Sequence, residues 1–122
     1  MFQIIFYETK DNRSELWEML EDLHRRSFFS KDARIQYQQI SLYIQLLQEK
    51  GTRLPVIISK HIENDLWELR PGVNRIFYFS DGGSTFVLLH LFRKRTQKTP
   101  EKELKRARRE INDYLQRKGT IS

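Results

Sequence analysis

Arg70, Arg75, Arg93, Lys94, Arg95 and Lys98 lie at the ends of short β-rich runs or just after them. Cations placed this way suit a phosphate ligand. An arginine fork donates two parallel hydrogen bonds to phosphate and stays charged. When RNA is cleaved by its own 2′-hydroxyl, the reaction passes through a phosphorane carrying extra negative charge. Preorganised cations aimed at that charge are usually a large catalytic term. Arg70 and Arg75 flank one tight turn, so both reach one cavity. Lys94, or its neighbour Arg93, joins them on the same side only if the strand register permits. Groups able to move a proton are fewer. His61 lies beside Lys60 in a polar stretch, the better place for chemistry. His90 lies inside VLLHLF and reads as a satisfied core histidine. Glu68 alternates with Trp67 and Leu69 and so shares a face with Arg70. It is either a base or the ion-pair partner of Arg70, and the pairing is the preferred reading.

The elements that must position these residues follow from pattern. Leu66–Arg70, Asn74–Ser80 and Ser84–Phe92 read as three strands of a meander. Pro71-Gly72 turns the first into the second, and Asp81-Gly82-Gly83 is a hairpin signal between the second and third. The third strand is almost continuously apolar, as a strand buried on both faces should be. Phe2–Glu8 predicts a strand at the sheet edge or beside the last strand. Asn12 with Glu15 fits a capping box for a first helix over 13–26. Ser30 caps a second helix over 31–50, stopped by Gly51. The segment 54–62 is expected to be loop or a helical turn. Thr99-Pro100-Glu101 opens a last helix that ends at Gly119. The expected order is β-α-α-β-β-β-α, an α+β fold with an antiparallel meander, a helical hairpin packed on it and a basic C-terminal helix, in one domain over 1–122.

Charge and composition narrow the partners. Of 22 Lys+Arg and 16 Asp+Glu, residues 93–118 hold 11 cations and 4 acids, a net of +7. The rest of the chain holds 11 cations and 12 acids, a net of −1. Such asymmetry points to nucleic acid or an acidic partner. The absence of cysteine excludes disulfides and thiolate metal sites. Scattered histidines without metal-ligand spacing argue against a metal, and no phosphate-loop or dinucleotide fingerprint is present, so no cofactor is expected. No apolar run reaches the ~18 residues of a membrane span. A soluble cytoplasmic protein with no membrane partner is expected.

LWELRPGVNRIFYF, followed by VLLHLFRKRTQKTPEKELKRARRE, resembles the RelE/ParE superfamily of bacterial toxins, most closely its HigB-like, phage-derived branch. The specific part of the likeness covers about 54–110. The resemblance implies a metal-independent endoribonuclease that cuts mRNA on the translating ribosome, held inactive by a cognate helix-turn-helix antitoxin (HigA-like). It places the family's conserved arginines at Arg70 and Arg75 and its basic exit cluster at Arg93, Lys94 and Lys98. The candidate catalytic residues are therefore Arg70, Arg75 and Lys94, and the candidate RNA contacts are Lys60, His61, Arg93, Arg95 and Lys98. Two departures bear on proton transfer. Related toxins often carry lysine where this chain has Glu68, and a tyrosine where it has Lys98-Thr99-Pro100. The superfamily also includes gyrase poisons, and a plain nucleic-acid-binding module is a third reading, though it lacks the aromatic platforms of an RNA-binding sheet. Trp17, Phe28 and Phe29 on the helical hairpin are candidate partner anchors. For the two phenylalanines, burial in the chain's own core is the favoured alternative.

Overall fold

The computed structural model describes residues 1–119. Its core strand is β5 (Thr85–Arg93), with β4 (Asn74–Ser80) antiparallel on one side. β3 (Leu66–Leu69) and β2 (Ser59–Glu63) extend the meander antiparallel, and β1 (Gln3–Phe6) closes the other edge. The spatial order is β1-β5-β4-β3-β2. β1 runs parallel to β5, so the sheet is mixed. Helices α1 (Glu15–Arg26), α2 (Lys31–Lys50) and α3 (Glu101–Gly119) complete the chain. The fold is α+β, in the order β-α-α-β-β-β-β-α.

Every residue from Phe86 to Phe92 is buried because both faces of β5 are covered. Leu16, Leu20, Leu23, Ala33, Ile40 and Leu47 of the helical hairpin pack against Leu69, Ile76, Tyr78, Phe86, Leu88 and Leu91. On the opposite face, Ala107, Leu104 and Ile111 of α3 pack against Phe77, Phe79, Val87, Leu89 and Phe92. The helices therefore lie on both faces of the sheet, two against one.

The structure corrects four expectations. The stretch 59–63, expected as loop or helical turn, is the edge strand β2, paired with β3 through Ser59↔Leu69 and His61↔Trp67. Its polar SKHIE sequence suits an edge, where charged side chains discourage further pairing. The sheet is not wholly antiparallel, because β1 joins parallel to β5. Asn12 and Glu15 form no capping box. Ser14 is the N-cap of α1, its Oγ accepting from the Trp17 amide at 3.1 Å, while Asn12 takes a left-handed φ of 59° in the preceding turn. That conformation is one asparagine tolerates better than most residues. Phe28 and Phe29, favoured as core residues, are 77% and 78% exposed. They occupy the turn between α1 and α2, where the His24 ring packs on Phe28.

Pro71-Gly72 turns β3 into β4 as expected, with Gly72 at a φ of 62°. A second constraint fixes this glycine. An added Cβ would lie 2.6 Å from the Gln39 Oε1 of α2. The turn thus fits closely under the second helix, which sets where Arg70 and Arg75 emerge.

Candidate functional site

β2, β3, β4 and β5 bring their charged positions to one end of the sheet. Lys60 pairs with Glu68 across β2 and β3, and Glu68 pairs with Phe77 across β3 and β4. Arg75 pairs with Phe92 across β4 and β5, and the Lys94 amide donates to the Val73 carbonyl at 3.0 Å. Lys94 feels the charges of Glu68, Arg75, Arg70 and Lys60. These five residues form one electrostatic cluster of four cations around one carboxylate.

Glu68 is the centre of that cluster and is only 1% exposed. Its Oε1 lies 3.5 Å from Arg70 Nε and 3.8 Å from Arg75 Nε. The expected pairing with Arg70 is present, and Arg75 is a second partner that strand alternation alone did not reveal. Arg70 Nη1 donates to the Val56 carbonyl at 3.2 Å. Arg75 Nη1 donates to the Gly72 and Asn74 carbonyls at 2.7 and 2.8 Å. Burial, above all, pushes the Arg75 pKa down; Glu68 opposes that shift and Arg70 adds to it. Burial also lowers the Lys94 pKa, opposed by Glu68 and reinforced by Arg75, Arg70 and Lys60. A lysine shifted in this direction gives up its proton more readily.

A small cavity beside the arginines is lined by Gln39, Tyr43, Ile57, Arg70, Gly72 and Arg75. Gln39 and Tyr43 come from α2, and no local sequence signal marks them. They are brought here by the turn beneath the helix. Arg75 also feels Tyr43.

The remaining candidates do not all converge. Arg93 lines a different groove, with Glu15, Glu18, Asp22 and Asp32. The register of β5 therefore selects Lys94, not Arg93, for the cluster. His61 lies beside Lys60 but alternates to the other face of β2. Its ring packs edge-on to Trp67 at 4.9 Å, with Nε2 at 2.6 Å from the Asn64 carbonyl oxygen. Arg95 and Lys98 are exposed in the segment between β5 and α3. His90 is fully buried, as the core reading expected. Its Nδ1 lies 2.5 Å from Glu110 and its Nε2 3.1 Å from Glu103, both on α3. Among the described residues no group of three His, Asp or Glu side chains is placed to hold a metal ion. No helix among them is long and apolar enough to cross a membrane.

A second surface lies on the helical hairpin. Trp17, Leu20, His24, Tyr37 and Ile44 line a groove between α1 and α2. Trp17 is 51% exposed and sits edge-on to Phe6. Phe28 and Phe29 are exposed beyond the other end of α1, Phe28 against the His24 ring.

Residues 27–112 match the phage-derived Gp49-like protein family (DUF891). The chain belongs to this family. The Gp49-like family is a RelE/ParE-like toxin family, and the match takes in β2 to β5, most of α3 and the whole cation cluster. The order of helices and strands is that of a RelE-like fold. A comparison with curated proteins returns no match.

Proposed function

We propose that this Gp49-like protein is a HigB-like toxin: an endoribonuclease that cuts mRNA on the translating ribosome. The observation that carries the reading is the gathering of Lys60, Arg70, Arg75 and Lys94 around buried Glu68 at one end of the sheet. In this reading the 2′-hydroxyl attacks the adjacent phosphorus, and the bond to the 5′-oxygen of the next nucleotide breaks. The products are a 2′,3′-cyclic phosphate and a 5′-hydroxyl. Arg70 and Arg75 hold the phosphorane oxygens by charge-assisted hydrogen bonds. Lys94, with its lowered pKa, is the side chain we assign to proton transfer. Lys60 extends the positive rim along the RNA backbone.

No histidine or exposed carboxylate stands in the cluster, so substrate positioning must supply much of the rate. Free RNA is therefore expected to be cut weakly, and translated RNA in phase with codons. Primer extension on an mRNA incubated with the protein, in an extract with and without active translation, reads this directly. Rapid cutting of naked RNA by catalytic amounts of protein would remove the ribosome from the reading. Ribosome binding should also weaken steeply with salt, as phosphate contacts do.

A toxin family implies a neutralising partner. We assign its docking to the helical hairpin, with exposed Trp17, Phe28 and Phe29 as separate anchors, none of which lines the cavity beside the arginines. The expected partner is a small helix-turn-helix antitoxin. Exposed aromatic anchors of this kind commonly contribute about 2 kcal/mol each on truncation. Trp17→Ala and Phe28→Ala are each expected to weaken the complex by roughly thirtyfold, measured by titration calorimetry with the protein encoded beside this gene. Unchanged affinity in both variants would move the interface elsewhere, the cations Lys102, Lys105 and Arg109 of α3 being the next surface to test.

A further inference from the structure

We propose that Glu68 is a positioning residue for the reaction: its buried carboxylate aims the guanidinium groups of Arg70 and Arg75 so that their free nitrogens converge on one phosphate. The inference rests on the nuclease reading above and deepens it.

Three observations on the inner side of the cluster carry it. Glu68 is 1% exposed on the short strand β3, too deeply placed to touch an RNA strand itself. Glu68 Oε2, Arg70 Nε and Arg75 Nε are all buried, and none has a hydrogen-bond partner. Glu68 Oε1 stands 3.5 and 3.8 Å from those two nitrogens, just beyond hydrogen-bond length. A buried carboxylate is costly unless it is paired, so these groups are held against one another.

The outer side completes the aim. Nη1 of Arg70 is tied to Val56, and Nη1 of Arg75 to Gly72 and Asn74, all through backbone carbonyls. On each guanidinium Nη1 is thus hydrogen-bonded, and Nε faces the Glu68 carboxylate without a hydrogen bond. Nη2 of each is left unburied and without a protein partner among the described residues. A planar group hydrogen-bonded at Nη1 and drawn at buried Nε toward a carboxylate has a preferred plane, so both Nη2 donors are set in place before a substrate arrives. Preorganisation of this kind is what lowers a barrier without cost at the moment of reaction.

The electrostatic sign separates two roles for Glu68. A carboxylate among four cations weakens their attraction for a polyanion. If Glu68 only diluted charge, removing it would improve both RNA binding and cutting. If it positions the arginines, removal improves binding and damages turnover.

The test has two arms. In the first, the Nε–Hε resonances of the wild-type protein are recorded by nitrogen-15 NMR and assigned through Arg70→Lys and Arg75→Lys. The expected result is two resolved signals with slow solvent exchange, apart from those of the exposed arginines. Coalescence of both with the exposed set would overturn the proposal, and this arm needs neither RNA cutting nor a foldable variant at Glu68. In the second arm, Glu68→Gln is compared with wild type. Affinity for a 2′-O-methyl oligoribonucleotide should be equal or higher. The turnover rate for cutting translated mRNA should fall by about 10²-fold, the size expected when a reacting group is misplaced by an ångström. Turnover equal to or above wild type would overturn the proposal. Should the wild-type protein cut no mRNA at all, the nuclease reading fails, while the first arm still decides whether the two arginines are held in place.

Discussion

Arg75→Ala is expected to lower mRNA cleavage by about 10²–10³-fold and to end growth arrest on expression, with the fold retained. Arg75 stands on β4 at the rim of the sheet, and its side chain is 15% exposed. It belongs to neither face of the apolar core. In the proposed reaction its contribution is charge at the phosphorane, so its loss would act on the transition state. Arg75→Lys keeps the charge and loses the fork, and should recover only part of the activity. The structure adds a complication that can be turned to use. Arg75 is one of two arginines facing buried Glu68, so alanine leaves that carboxylate less compensated and lowers the melting temperature. Arg75→Ala combined with Glu68→Gln should regain the stability and none of the activity. Primer extension and thermal melting of the single and double variants separate the two effects. Full toxicity of Arg75→Ala at matched expression would mean that the site lies elsewhere.

His90→Ala should have the largest effect on stability, about 3–5 kcal/mol, which for a chain of this size lowers the melting temperature by roughly 10–20 °C. The ring sits under α3 with each nitrogen against a carboxylate, Glu110 on one side and Glu103 on the other. The ring thus ties two separate turns of α3 to β5 through one side chain. Arg106 extends the network, reaching Glu110 at 3.4 Å and Glu15 of α1 at 2.9 Å. Removing the ring leaves a cavity and two acids that have lost their shared partner. Their repulsion acts on the contact that fastens α3 to the sheet. Differential scanning calorimetry at neutral pH gives the number. A shift of only a degree or two would show that the carboxylates turn to solvent freely and that α3 is held by its apolar face alone.

The meander from Leu66 to Phe92 is legible in the sequence because turn chemistry and apolar runs agree there. β2 is not. The more apolar residues Val56 and Ile57 precede it and end up exposed in the connecting turn, while the strand itself is polar. Sequence places Arg70, Arg75 and one of the pair Arg93 and Lys94 near one another. Deciding between that pair needs the register of β5, which shifts opposite Ile76 and Tyr78 and so reverses the parity of the residues beyond the shift. His61 turns away from the cluster for a related reason of parity, since neighbouring residues on a strand face opposite ways. Gln39 and Tyr43 lie far from the arginines in sequence, and only the fit of Gly72 beneath α2 joins them. Phe28 and Phe29 show the limit of hydrophobicity as a guide, because a turn with no layer above it leaves apolar rings outside.

The parallel seam between β1 and β5 has a consequence for how the molecule comes into being. Gln3 pairs with Thr85 and Phe6 with Leu88, so the first strand made waits for the last. Chains emerge from synthesis N-terminus first, and contacts between distant segments close slowly. The helical hairpin can form early, from neighbours alone. The sheet cannot be completed until β5 has emerged, and Lys94 comes directly behind it. The exposed aromatic rings of the hairpin are thus available for capture while the cation cluster is still unmade. A partner that binds the hairpin would meet the chain before it is armed.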